Sequence, residues 1–371
     1  MNTFNIDFST LLGRENSNSL IDYSFPDIKG NNVLVTGAGG SIGSSLCKQI
    51  ILQEPSTIIL IENSELNLYN IYESLTSILE KNNKIHAAIV PLLASVLDKS
   101  HMENIISHWK PRVIFHAAAY KHVHLVEQNI SAGIKNNVIG TLYTAELAAK
   151  YKTKQFILIS SDKAINPVNI MGASKRLAEI FTLSLANQSP LTTFSVVRFG
   201  NIIGSSGSVV PKFINQINNG EAVTLTDDRV TRYFMTADEA VKLLLELTIL
   251  SAVSGGTYGF DMGEPVSIFD LAKKLISLSG KTLRNKNTLA GEIEIKIIGL
   301  RPYEKMHEES IITKNAKITK HPKIYKTEED ALDFSTLQKI FFSLTSEIEK
   351  NSIENIKKIL IGVIPELLLQ D

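Results

Sequence analysis

Asp162 and Lys163 stand side by side in "SSDKAINPVNIMGASKR", residues 160–176. An acid beside an amine can take a proton from one reacting centre and give one to another, which is general acid–base chemistry. The plainer reading of the same pair is an ion pair at a strand end. Further along the stretch, Lys175 follows Met171 by one helical turn. A thioether carries no proton, so any proton traffic beside Lys175 must use other groups.

These residues need a scaffold. The runs "NVLVTG" (32–37), "TIILIE" (57–62), "AAIVPLL" (87–93), "VIFHAAA" (113–119), "FILISS" (156–161) and "TFSVVRF" (193–199) read as buried strands, with helical patterns between most of them. Apolar strands alternating with helices predict a parallel sheet covered on both faces, a doubly wound α/β fold of Rossmann type. Asp162 and Lys163 then lie at the C-terminal end of the fifth strand, where such sheets bind ligands. After "RFGNIIGSSGS" the alternation loosens, which predicts a smaller, discontinuous cap. The expected division is an N-terminal arm (1–30), a dinucleotide domain (31–203 and 236–262), a substrate-binding cap (204–235 and 263–325) and a C-terminal helical segment (326–371).

In "VLVTGAGGSIGSSL", Gly37, Gly40 and Gly43 follow a strand and open a helix. Glycines there permit a tight turn and bring a pyrophosphate to the N–H groups of a helix start. A tight structural turn is the alternative. Glu62 ends the second strand, where a carboxylate accepts hydrogen bonds from an adenosine ribose and repels a 2′-phosphate, so NAD is expected; Ser64 leaves NADP open. A solvated acid capping a strand is the simpler account of Glu62. His116, His122 and His124 lack a metal-ligand spacing and a completing acid or cysteine motif, and no metal is expected.

Lys+Arg and Asp+Glu both count 38 in 371 residues, so no basic excess points to nucleic acid. The single cysteine, Cys47, sits in an apolar helical pattern and reads as an inert buried thiol. The first residues lack a signal-peptide pattern, and no apolar run reaches the ~20 residues of a spanning helix. A cytoplasmic protein without a membrane span is expected.

Together the glycine turn, "HAAA", Asn137 in "NNVIGT" and the Lys175 helix resemble the extended short-chain dehydrogenase/reductases. More narrowly, "HAAAYKHVHLVE", "SSDKAINPVNIMGASKR", "VRFGNIIGSSGSVVPKF", "TRYFMT" and "GLRPYEKMHEE" resemble the nucleotide-sugar 4,6-dehydratases of bacterial polysaccharide biosynthesis, from about residue 9 to 320. Such enzymes usually place a tyrosine where Met171 stands. The methionine-containing subgroup resembles the configuration-retaining UDP-N-acetylglucosamine 4,6-dehydratases. Two departures are Ser95, where an acid is usual, and Tyr303, where a glycine is usual.

The resemblance implies oxidation at sugar C4, loss of water across C5 and C6, and return of hydride to C6. It makes Lys163 the C5 base, with a pKa depressed by burial and by Lys175, and Asp162 the acid at C6, with Ser161, Met171 and Lys175 completing the catalytic set. It assigns the cofactor to Gly37, Gly39, Gly40, Ser41, Ile42, Gly43, Glu62, Asn63, Ser64, Ser95, Val96, Ala117, Ala118, Ala119, Asn137, Ser160 and Lys175. It assigns a UDP-sugar to Tyr120, Lys121, Asn201, Ser208, Val209, Arg232, Arg301 and Glu304, with both arginines at the diphosphate, and it implies a homo-oligomer. The rivals are a sugar-nucleotide 4-epimerase, which needs no C6 acid, and a catalytically silent NAD-binding regulator.

Overall fold

The computed structural model describes residues 8–13, 25–251, 256–285, 290–312, 315–329 and 331–369. Most of the expected N-terminal arm lies outside these residues. Six of the expected strands form as β1 (Asn32–Thr36), β2 (Thr57–Glu62), β3 (Ala88–Leu93), β4 (Val113–His116), β5 (Gln155–Ile159) and β6 (Thr193–Arg198). They pair in parallel in the order β6-β5-β4-β1-β2-β3, and Gly256–Phe260 extends the parallel sheet beyond β6. The β1–β4 junction is the reversal point, so the ends of β1, β4 and β5 open on one crevice.

Alternation along each strand supplies two cores. Leu34, Ile59 and Ile61 join one apolar cluster, while Val33, Val35, Ile58 and Leu60 join the other. The first is covered by helices Lys99–Trp109, Gly140–Lys150 and Ile170–Ala186, and the second by Ser41–Ile51, Glu65–Lys81 and Ala237–Leu250. Cys47 is buried in the second core, and burial pushes its thiol pKa up, which keeps it protonated and inert. A third cluster, with Val210, Phe213, Leu271 and Leu275, lies between helices Val209–Asn218 and Ile268–Leu278 beside the crevice.

Two expectations need correction. β3 is the sheet edge and is half-buried, with Leu93 exposed, because among the described residues no strand pairs with its outer side. Lys317–Ile318 and Ile324–Thr327, expected in the cap up to 325 and in the helical segment from 326, join the main sheet instead: the latter pairs antiparallel with Gly256–Phe260, and the former pairs with it in turn. Edge pairing satisfies their backbone groups even though their side chains form no apolar run.

Helices Phe334–Glu349 and Ile353–Val363 bring Leu337, Leu344, Ile356 and Leu360 into the first core, beside helix Ile170–Ala186. Arg176 Nε meets Glu366 Oε1 at 3.1 Å, and Leu368 N donates to Pro167 O at 3.0 Å. Among the described residues no helix is long and apolar enough to cross a membrane.

Candidate active site

The glycine turn is shaped by backbone contact. Gly37 has φ +64°, a conformation that favours glycine, and a β-carbon at Gly43 would come within 2.0 Å of Gly37 O. No side chain caps the following helix at Gly40, which leaves its start open to an anion. Glu62 holds this turn: Oε2 accepts from Gly39 N at 2.9 Å, and Oε1 accepts from Asn63 N at 3.0 Å and Ser64 N at 3.1 Å. Ser64 Oγ in turn caps helix Glu65–Lys81.

Opposite the turn, His116 is buried between Thr36 Oγ1 (2.9 Å) and Thr141 Oγ1 (3.0 Å), and burial holds its pKa down to about 3. It is a neutral structural group. Asn137, on a π-helical turn (Lys135–Ile139), accepts from Tyr120 N at 2.7 Å and donates to Tyr120 O at 3.0 Å and Ser174 Oγ at 2.9 Å. All of its polar capacity is used with protein groups, counting the Asn136 amide that donates to its oxygen, and it is fully buried. In this structure it positions the Ala117–Tyr120 wall against helix Ile170–Ala186. Val96 is likewise buried, its side chain filling the space above Gly140, and Ser95 Oγ accepts from Leu97 N at 3.2 Å.

The turn after β5 carries the reactive groups. Asp162 N donates to Phe199 O and Ser160 N to Val197 O, fixing it to β6. Ser160 Oγ donates to buried Glu179 at 2.6 Å, and Ser161 Oγ to Asp162 Oδ1 at 2.8 Å. Lys163 Nζ lies 3.0 Å from Asp162 Oδ1, 3.2 Å from Glu308 Oε1 and 3.3 Å from Asn201 Oδ1. Lys175 Nζ has one backbone partner, Ile159 O at 2.7 Å.

The two lysines respond in opposite ways. Burial pulls Lys175 down to about 8, with Glu179 opposing. Burial also acts on Lys163, but the Asp162 and Glu308 carboxylates outweigh it and hold the ammonium above the usual lysine range. The expected depression of Lys163 is corrected, because Glu308 adds a second negative neighbour that the local sequence around Lys163 does not show.

A cleft of about 1160 Å³ joins these parts. It is lined by Gly37, Gly39, Gly40, Ser41, Ile42 and Gly43 at one end, by Ala117, Ala119, Ser160, Ser161, Lys163, Met171 and Lys175 in the middle, and by Tyr120, Lys121, Asn201, Ser208, Val209, Arg232, Arg301 and Glu304 elsewhere. Glu62, Asn63, Ser64, Ser95, Val96, Ala118, Asn137 and Asp162 stand behind or outside that lining. Asp162 is nevertheless next to it, since a β-carbon on lining Gly200 would be 2.9 Å from its Oδ2.

The model of the polysaccharide biosynthesis protein family matches residues 33–329, the span that holds this entire cleft. The chain belongs to that family. Within it, the chain is 42% identical to the capsular polysaccharide biosynthesis protein CapD of Staphylococcus aureus, over 88% of this chain and 52% of that one. It is 31% identical to the UDP-N-acetylglucosamine 4,6-dehydratase (inverting) of Campylobacter jejuni, over 78% of this chain and 80% of that one. Among solved structures, Pen from Bacillus thuringiensis superposes with a TM-score of 0.70 at 28% identity, covering 85% of this chain and 98% of that one. The chain spans about half the length of CapD.

Inside the family-matched region the two arginines part company. Arg301 is half-exposed and 3.9 Å from Glu304, free to meet an anion. Arg232 Nη1 donates to Thr231 O (2.7 Å) and Met306 O (3.1 Å), and Nη2 to Lys305 O (2.8 Å). Three of its five donors are spent on carbonyls, so in this structure it ties down the 305–308 loop while lining the cleft. The cation missing from the sequence reading is Lys212, which lines the cleft one turn into helix Val209–Asn218; burial and nearby Arg301 lower its pKa. Its place inside "GSSGSVVPKF", just past the cap, was the signal available for it. Glu308 was also missed, and within "EKMHEES" nothing separates it from its acidic neighbours.

Proposed function

We propose that this family member catalyses the NAD-dependent 4,6-dehydration of a UDP-N-acetylhexosamine, UDP-N-acetylglucosamine first among them, giving the 4-keto-6-deoxy sugar for bacterial surface glycans. The observation that carries this reading is the Asp162–Lys163 pair at the β5 end, its acid buried and its amine facing the same cleft as an anion-ready glycine turn. The turn, with its uncapped helix start and the Glu62 brace, fits a dinucleotide. Bound there, NAD supplies the hydride acceptor at C4 and donor at C6.

The chain's own residues then handle protons. Lys163 is placed to remove the C5 hydrogen, made acidic by the neighbouring ketone. Asp162, with Oδ2 buried and unpartnered among the described residues, would protonate the leaving C6 hydroxyl. With Met171 in the tyrosine position, Asp162 is also the nearest acid for the C4 hydroxyl proton. Lys175 holds the cofactor ribose and adds positive charge. Arg301 and Lys212 supply cations for the diphosphate. A 4-epimerase needs no C6 acid, and the investment in a buried acid–amine pair favours dehydration. The retaining outcome at C5 is part of this proposal and rests on Met171.

Purified protein incubated with UDP-N-acetylglucosamine and followed by NMR tests it. A 4-keto-6-deoxy product with C5 configuration kept is the expected result. UDP-N-acetylgalactosamine alone would establish the epimerase instead, and unchanged substrate would reject both.

A further inference from the structure

Lys163 cannot act as a base while its nitrogen is an ammonium. That ammonium has three N–H donors; Asp162 Oδ1 and Asn201 Oδ1 accept from two at 3.0 and 3.3 Å, and Glu308 Oε1 lies 3.2 Å away as an ion-pair contact. An amine lone pair appears only if one proton leaves along one of these contacts. The Asn201 amide oxygen is not a base near neutrality. Asp162 Oδ1 also accepts from Ser161 Oγ, and Asp162 already has the C6 oxygen to serve.

Glu308 is differently placed. Its side chain is 4% exposed, it lines the cleft, and its Oε2 is buried without a hydrogen-bond partner among the described residues. The charged groups facing it are Lys163 and, at 3.6 Å, Arg232 Nε, with Asp162 beyond Lys163. Its chain neighbours are engaged elsewhere: His307 with Thr231 Oγ1, and Lys305 with Ile165 O and Glu309. One oxygen of this carboxylate thus faces Lys163 and the other is unsatisfied within the site.

We infer that Glu308 is a positioning residue that accepts the Nζ proton of Lys163, converting it to the amine that removes the C5 hydrogen. The inference rests on the dehydratase reading. In the transfer an N–H bond breaks on Lys163 and an O–H bond forms on Glu308. The amine then takes the C5 proton, and the C5–H electron pair enters the enolate of the C4 ketone. That enolate expels the C6 hydroxyl as water with a proton from Asp162, which received it from the C4 hydroxyl. After hydride returns to C6, Lys163 gives its proton back to C5 and recovers one from Glu308.

The test isolates the C5 step. Full-length, NAD-loaded protein is given the 4-keto-6-deoxy product in deuterated water, and C5 exchange is followed by NMR across pH. For Glu308→Gln, exchange at pH 7 is expected to fall roughly 10²-fold, the lower end of a general acid–base contribution. It should climb back toward the parent rate at high pH, where hydroxide replaces the missing acceptor. KM and bound NAD should stay at parent values. Glu308→Asp, which keeps a carboxylate slightly withdrawn, should exchange about tenfold slower than the parent, and it carries the test if the glutamine variant does not fold. Parent-rate exchange in either variant, a loss independent of pH, or an effect confined to KM would overturn the inference. A parent protein that neither dehydrates the UDP-sugar nor exchanges C5 overturns the dehydratase reading and this inference with it, and that failure is seen in the parent rather than the variants.

Discussion

The two ends of the cleft are finished to different degrees. At the glycine-turn end, polar groups are satisfied within the protein: Glu62 by three backbone amides, His116 by two threonines, Asn137 by Tyr120 and Ser174. At the sugar end, Asp162 Oδ2, Glu308 Oε2 and Ser208 Oγ are buried without partners among the described residues. A buried polar atom left unpaired costs about 1–3 kcal/mol. One end is a preformed cradle whose shape is set by backbone contacts, and the other carries the stability cost of its unpaired atoms, which the proposed reaction would offset.

Breaking the sugar end should show first in chemistry. Lys163→Met is expected to slow dehydration by roughly 10²–10⁴-fold and to abolish C5 exchange with solvent, while bound NAD, measured by denaturation and chromatography, stays at the parent level. Breaking the cradle should show in binding instead. Gly43→Ala puts a β-carbon 2.0 Å from Gly37 O, and overpacking of this kind costs about 1–3 kcal/mol; calorimetry should register that as weakened NAD affinity or lower stability.

The cations sharpen the contrast further. Arg301→Ala or Lys212→Ala should each weaken UDP-sugar binding by about 1.5 kcal/mol, the low end for hydrogen bonds to charged groups because Arg301 is solvent-exposed, without changing NAD affinity. Arg232→Ala should instead lower thermal stability, since it frees the carbonyls of Thr231, Lys305 and Met306. The smallest effect is expected at Met171→Leu, a volume-conserving change costing less than about 1.5 kcal/mol; turnover assays should find substantial activity, and its abolition in a folded, ligand-binding variant would make the thioether more than a filler.

The cradle was legible in the sequence because it is local. Apolar runs mark β1, β2, β4 and β5, and the glycines, Ser160, Ser161, Asp162 and Lys163 follow their ends directly. β3 was legible as a strand but not as an exposed edge, and the antiparallel Ile324–Thr327, held between Gly256–Phe260 and Lys317–Ile318, was missed because its side chains form no apolar run. The sugar end was only half legible. Glu308 reaches Lys163, and Arg232 reaches the carbonyls of 305 and 306, through the fold alone, so neither the raised Lys163 nor the structural use of Arg232 leaves a mark in local spacing. Asn137 carried a motif but not its purpose, which depends on Tyr120 and Ser174 meeting it from opposite sides.

The bond from Leu368 N to Pro167 O joins the loop between Lys163 and Met171 to a segment synthesised after every strand of the sheet. On the ribosome, the glycine turn and its supporting strands can therefore assemble while that brace is still unmade. Birth order thus gives the protein its glycine-turn cradle before it gives it a braced Lys163–Met171 loop.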